Sequence, residues 1–237
     1  MAARFAMLVT FLFIATCANM VLSENLDDIK RKIRFVLRGS MPELLPTTGQ
    51  PVEVTLGLDL TAIRQVDTTR GEIEILAMRS LLWNNPLLSW KDKSQGFSHD
   101  PISIDIKKVW SPDIVAYNAI HPPEVLSPPL AIVNEDGSVM YIPNERIRFG
   151  CDLENFSTAE GSNCTLVYGS WTYNAERMNV TGSSVSTNDF RADARFDLLH
   201  TYIETEVTYY ECCPEPYVRV KITLNIREKK PYFTWWN

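Results

Sequence analysis

The sequence predicts an all-β domain, an immunoglobulin-like β-sandwich opened by one N-terminal α-helix. Three observations lead there: several short segments place apolar residues at every second position, turn-forming residues separate them, and one stretch alone carries helical spacing. The chain has 237 residues, which suits a single large β domain with an ample core.

The first segment is expected to lie outside that domain. Arg4 precedes an apolar run from residue 5 to 15, followed by small residues suited to cleavage after Ala18 or Ser23. This pattern predicts a secretory signal peptide over residues 1–23, with the domain proper over 24–237. The run is short against the roughly 20 apolar residues of a spanning helix, and no other segment approaches that length. Residues 25–37 place Leu26, Ile29, Ile33, Val36 and Leu37 at helical spacing, with Asp27 and Asp28 early and Arg38-Gly39 at the end, which predicts an amphipathic helix. After Pro51 the period drops to two. Val52, Val54, Leu56, Leu58 and Leu60 fall on one side, with Glu53, Thr55, Asp59 and Thr61 on the other. Further strands are predicted over 72–78, around Ile102, Ile104 and Ile106, over 139–142 after the Asp136-Gly137 turn, over 201–209 and over 217–226. The last alternates Val218, Val220, Ile222, Leu224 and Ile226 with polar residues.

The cysteines carry more information than their number suggests. The expected cleavage would remove Cys17 and leave Cys151, Cys164, Cys212 and Cys213. Four cysteines in an oxidising compartment predict two disulfides with three possible connectivities. Cys212 and Cys213 are adjacent, between Tyr209-Tyr210 and Tyr217. Neighbouring Cα atoms lie about 3.8 Å apart, whereas an ordinary disulfide prefers roughly 4.4 to 6.8 Å, so a bond between them would form a strained ring at a hairpin tip. It would enclose almost no chain and contribute little to stability. The alternative is that each pairs with a distant cysteine, as is common in secreted proteins. Sequons at Asn155, Asn163 and Asn179 also point to secretion.

The formal charge is −6, or −7 once Arg4 is removed, which argues against nucleic acid and mildly favours cationic partners. An enzyme finds little support. Gly-x-Ser-x-Gly is absent, the three histidines His99, His121 and His200 fit no zinc spacing, and no cofactor motif is present. Glu204 and Glu206 share a strand face as glycosidase carboxylates could, but such pairs are usually a solvated sheet face.

Several motifs then fall in one order: Trp-Asn-Asn-Pro-Leu-Leu-Ser-Trp from Trp83 to Trp90, Trp-Ser-Pro-Asp-Ile-Val-Ala-Tyr-Asn from Trp110 to Asn118, the Cys151 and Cys164 pair, Gly-Ser-Trp-Thr-Tyr from Gly169 to Tyr173, and the vicinal cysteines. Together they resemble the extracellular ligand-binding domain of nicotinic acetylcholine receptors over nearly the whole chain beyond residue 23. The ordered set is highly specific, although no single motif is. The resemblance implies disulfides Cys151–Cys164 and Cys212–Cys213. Within the group it is nearest the soluble acetylcholine-binding proteins. Cys151 and Cys164 enclose 12 residues, where receptor subunits have one more. The loop is polar, carries the Asn155 sequon and contains Phe156 without the neighbouring proline of receptor loops. The chain reaches Pro231-Tyr-Phe-Thr-Trp-Trp-Asn237 where a receptor would enter its first membrane helix.

The resemblance implies a secreted, extracellular binder of acetylcholine, nicotine and related cationic ligands, built as a homopentamer with a site at each subunit interface and buffering or modulating transmitter in the synaptic cleft. It implies a principal face of Tyr117, Trp171, Tyr210 and Tyr217, with Cys212-Cys213 capping the ligand and Trp171 as the main cation-π partner. Aromatic faces suit a quaternary ammonium, which has no N–H to donate. The complementary face would hold Met78, Ile132, Met140 and Ile142, apolar but without a ring at Met78 where nicotinic interfaces carry one. Val167 stands where the family commonly has lysine. Trp83, Trp90 and Trp110 are expected in the core. The competing readings are a receptor subunit's ectodomain and an adhesive glycoprotein that uses the sandwich only as scaffold.

Overall fold

The computed structural model describes residues 25–91, 96–193 and 195–230. The expected signal peptide and the 231–237 stretch lie outside the described residues. Helix α1 (Leu26–Arg38) is capped by Asn25, whose side chain accepts from the Asp27 amide at 3.2 Å. Its inner stripe differs from the expected one. Leu26 is exposed, whereas Lys32 is fully buried. The Lys32 ammonium donates to Ser98 Oγ at 2.7 Å and the Asp100 carbonyl at 3.1 Å and lies over the Trp90 ring. A buried charge is tolerable because it is hydrogen-bonded.

Strand β1 (Val52–Asp67) buries Val52, Val54, Leu56, Leu58 and Leu60. It extends six residues beyond the expected alternation, paired throughout with β2 (Glu72–Asn84). There follow β3 (Ile102–Asp105), β4 (Ile114–Ala116), β5 (Glu124–Val125), β6 (Leu130–Val133), β7 (Ser138–Tyr141), β8 (Asn144–Gly150), β9 (Ser162–Ser170), β10 (Met178–Ser186), β11 (Phe196–Tyr210) and β12 (Cys213–Glu228). Ile106, expected within a strand, instead begins a short 3-10 turn.

Two sheets form the sandwich. The larger runs β10-β1-β2-β7-β6-β3, with β8 also pairing β2 and β5 pairing β8; the smaller runs β11-β12-β9-β4. On the edge away from β1, strand β2 serves two partners because its 81–84 end pairs β7 while its 72–78 end pairs β8. The inner faces meet in one core that includes Leu56, Leu60, Ile73, Ile75, Ile147 and Phe149 from the larger sheet and Leu166, Val220, Ile222 and Leu224 from the smaller. Burying each such side chain contributes about 1.5 to 3 kcal/mol. Trp83, Trp90 and Trp110 are buried as expected, with Trp83 and Trp110 meeting edge to face.

The disulfides are Cys151–Cys164 and Cys212–Cys213. Within the first loop Leu153 and Phe156 turn inward, and the Phe156 ring packs on Phe196 at 5.9 Å. The Phe156 carbonyl accepts from the Glu228 amide at 2.8 Å, so the loop is fastened to the β11–β12 hairpin at the end opposite the vicinal disulfide.

Candidate functional site

The Gly169-Ser170-Trp171-Thr172 segment leaves the end of β9 and is held by one carboxylate. Asp113 accepts from Ser170 Oγ at 2.6 Å, from the Thr172 amide at 2.7 Å and from Thr172 Oγ1 at 2.6 Å. The Asp113 carbonyl accepts from the Trp171 amide at 3.1 Å. With the backbone clamped from both sides, the indole of Trp171 projects outward and is 70% exposed. An indole left that far in solvent contributes little to its own domain's core.

Tyr117 approaches from the other direction. Its amide donates to the Val167 carbonyl at 2.8 Å, and its hydroxyl donates to the Ser170 carbonyl. The ring crosses β9 over Gly169, where any Cβ would lie 2.7 Å from the tyrosine ring and hydroxyl. Gly169 is therefore required for this ring position. Burial raises the pKa of Tyr117 above the ordinary phenol value, assisted by Tyr210 and the Asp113 charge. The phenol stays neutral at physiological pH and keeps its donated hydrogen bond.

Tyr210 ends β11 and Tyr217 lies on β12, where the register pairs Tyr210 with Cys213 and Thr208 with Tyr217. The two rings meet edge to face at 5.3 Å. Cys212 and Cys213 form the tip above them. Tyr117, Ser170, Trp171, Tyr210, Tyr217 and Arg219 line one cleft of about 450 Å³. All four rings expected together from the sequence thus share one cleft.

Arg219 was not among the expected residues. The register places it beside Gly169 on β9 and Glu206 on β11, and its outward position follows from the alternation Tyr217, Arg219, Lys221. That alternation was the available signal. Glu206 accepts from Arg219 at 2.9 Å and pairs with Lys221 at 3.0 Å. The hydrogen bond from Lys221, with the nearby positive charges, holds its carboxyl below the usual range. Glu206 is accordingly a fixed counter-ion on a solvated sheet face.

Of the expected complementary residues, Met78, Ile132 and Met140 lie on the larger sheet and Ile142 directly follows β7. Met140 of β7 pairs with Leu82 of β2 on one side and Ile132 of β6 on the other. Leu82 and Ile132 are exposed, as is Ile142. Met78 lies further down β2 between Asp59 and Asn144 and is half-buried. Leu82 joins this apolar row although sequence reasoning omitted it.

A larger cleft, about 670 Å³, lies behind Tyr117 and Trp171 and reaches Ile114, Ile120 and Pro122. Its charges are already paired: Arg79 donates to both Glu145 oxygens, at 3.0 and 2.8 Å. Burial works against the Arg79 charge, but the hydrogen bond and charge of Glu145 prevail and raise its pKa above the ordinary value. Tyr168, fully buried beside them, is pushed above the usual phenol range by burial. Tyr117 and Trp171 line both clefts, whereas Tyr210 and Tyr217 line the smaller one. No cluster of three or more metal-ligating side chains occurs among the described residues.

Asn155 and Asn163 are exposed, and Asn163 Oδ1 accepts from Asn225 at 2.7 Å. Asn179 is half-buried and donates to Glu53 at 2.8 Å. No helix among the described residues is long and apolar enough to cross a membrane.

Comparison with known proteins places this geometry in context. The chain is similar to the neuronal acetylcholine receptor subunit alpha-9 of Gallus gallus, 27% identical over 223 residues, which cover 91% of this chain and 43% of that protein. It is similar to the subunit alpha-10 of Rattus norvegicus, 31% identical over 187 residues, covering 77% of this chain and 41% of that protein. It is also similar to the acetylcholine receptor subunit alpha-type acr-15 of Caenorhabditis elegans, 24% identical over 86% of this chain and 43% of that protein. The chain thus spans less than half the length of these curated relatives. The family model that matches residues 30–230 describes a ligand-binding domain and not a catalytic one. By that match, covering most of the helix, both sheets and the aromatic cleft, the chain belongs to the neurotransmitter-gated ion-channel ligand-binding domain family.

Proposed function

We propose that this protein is a secreted binder of acetylcholine, nicotine and related cationic ligands, assembled as a homopentamer with a site at each subunit interface. The observation that carries the reading is the cleft lined by Tyr117, Trp171, Tyr210 and Tyr217 beneath the Cys212–Cys213 tip. Ring faces attract a cation that cannot donate a hydrogen bond, each contributing about 0.5 to 2 kcal/mol according to desolvation. A protonated amine such as nicotine gains one further contact, donating to the Trp171 carbonyl. Cys212 and Cys213 close over the bound ligand.

The apolar row of Ile132, Met140 and Ile142, with Met78 below it, supplies the complementary wall from a neighbouring subunit. It lies on the other sheet from the aromatic cleft, so one copy's cleft meets another copy's row head to tail. Such heterologous contacts close into a ring. The inward turn of Phe156 supports a soluble protein, because the Cys151–Cys164 loop then offers mostly polar groups at its surface. Asn155 on that loop is an exposed attachment point for a glycan. Modulation of cholinergic transmission is the role that follows.

The second reading is the ectodomain of a channel subunit, favoured because the curated relatives are receptor subunits more than twice as long as the matched region. Fractionating the native protein separates the two: recovery in medium supports the binder, and recovery in membranes with a larger mass supports the subunit. Calorimetric titration of the purified protein with acetylcholine tests the ligand. Saturation near one ligand per subunit without continuing heat of hydrolysis is expected, and a folded pentamer that binds neither acetylcholine nor nicotine overturns the reading.

A further inference from the structure

The cleft that suits a cation also contains one. Arg219 lies on its wall with the four rings, and its charge acts on Tyr117. A guanidinium beside a site for ammonium repels a ligand that is only a cation. Glu206 offsets that charge incompletely, because its carboxylate is shared between Arg219 at 2.9 Å and Lys221 at 3.0 Å. Arg219 thus shares its counter-ion, and the Asp113 carboxylate is the other charge that acts on Tyr117.

The hydrogen bonding of Arg219 points the same way. Guanidinium offers five N–H donors in a planar fork, and Glu206 accepts from Nη2. Nε is buried and has no hydrogen-bond partner among the described residues. Nε is therefore not itself open to the cleft, whereas the side chain as a whole is 28% exposed and lines it, so a ligand meets the guanidinium through its outer nitrogens. A carboxylate is the group whose planar geometry fits such a fork. Position supports the pairing as well. Arg219 sits directly across from Gly169, the residue under the Tyr117 ring, and two residues after Tyr217 on the same strand face. A small molecule in a 450 Å³ cleft can touch both the rings and the guanidinium.

We propose that the cleft is specific for zwitterions: an ammonium held by Trp171 and its neighbouring rings, joined by a short linker to a carboxylate held by Arg219. This rests on the aromatic cleft being the ligand site and names the class of ligand it prefers. Arg219 is then the specificity-determining residue.

The test uses acetylcholine and acetylcarnitine, which is acetylcholine bearing an added carboxymethyl group, titrated calorimetrically into the full secreted protein and its Arg219→Gln variant. The wild type is expected to bind acetylcarnitine at least as tightly as acetylcholine. Arg219→Gln is expected to weaken acetylcarnitine and strengthen acetylcholine, so that the preference for the zwitterion falls by about tenfold or more, the scale of a charge-assisted hydrogen bond. Arg219→Lys keeps the charge without the fork and should give an intermediate preference, which also serves if the glutamine variant does not fold by circular dichroism. An unchanged preference in a folded variant overturns the proposal. The two levels of inference fail differently. Acetylcholine binding that is weakened in Trp171→Ala, with a preference indifferent to residue 219, leaves the cation site standing and removes only the zwitterion. Absence of binding by both ligands to the folded wild type removes both.

Discussion

The two disulfides lie at opposite ends of the β11–β12 hairpin and do different work. Cys151–Cys164 encloses a loop whose Leu153 and Phe156 turn into the sandwich and whose backbone is tied to Glu228. Cys212–Cys213 encloses no chain, and the tyrosines before it, Tyr209 and Tyr210, remain exposed. The same covalent bond limits the unfolded ensemble in one place and shapes a surface in the other. Loop length predicts the difference, since a bridge stabilises by restricting the chain it encloses.

Breaking the comparison at its most stable point gives the largest effect. Phe156→Ala empties a buried ring site against Phe196 and should cost about 3 to 5 kcal/mol in denaturant unfolding; a cost below 1 kcal/mol would mean that the ring is not packed inside. Replacing Cys151 and Cys164 together with serine should remove about 3 kcal/mol, the value for closing a loop of this size. Trp171→Ala should shift the same unfolding curve by no more than about 0.5 kcal/mol because the indole is exposed. Its acetylcholine affinity should nevertheless fall, by up to about thirtyfold if one desolvated cation-π contact is lost. Replacing Cys212 and Cys213 with serine should cost less than about 1 kcal/mol of stability while speeding ligand dissociation in stopped flow. Equal destabilisation by the two cysteine replacements would erase the distinction.

The smallest effect lies away from both bridges. His99 contacts Glu135, whose hydrogen bond and charge raise the imidazole pKa above its ordinary 6.5. Because the folded pKa is the higher one, the stabilisation is fully present below pH 6.5 and is lost as pH rises through the folded value. Both groups are near the surface, so the change in stability should be slight. An NMR titration should place His99 above 6.5 in the wild type and near it in Glu135→Gln.

Legibility of the sequence followed how cleanly each strand separates apolar from polar residues. Strand β1 and the 217–226 part of β12 alternate almost without exception, and both were readable. Strand β8 was not, because its inward positions are Glu145, Ile147 and Phe149; a buried carboxylate breaks the pattern, and its partner Arg79 lies 66 residues earlier. Lys32 hides the helix stripe in the same way. Strand β10 begins with Met178 and Val180 and then runs into Gly182, Ser183 and Ser184, which read as turn. The cleft's four rings were legible through ordered motifs. Arg219 was not, since a charged residue at an outward strand position looks like ordinary surface until the fold brings Tyr117 and Trp171 to it.

Gly169 illustrates how a mutational survey of this molecule could mislead. It offers no side chain to any ligand, yet every replacement would drive Tyr117 off β9 and disturb the hydroxyl contact to Ser170. In a saturation library screened for binding, position 169 should tolerate nothing else, as intolerant as a residue that grips the ligand. Screening the same library for folding alone would expose the difference: variants there should retain a cooperative transition with an empty pocket, identifying a seat for another residue's ring.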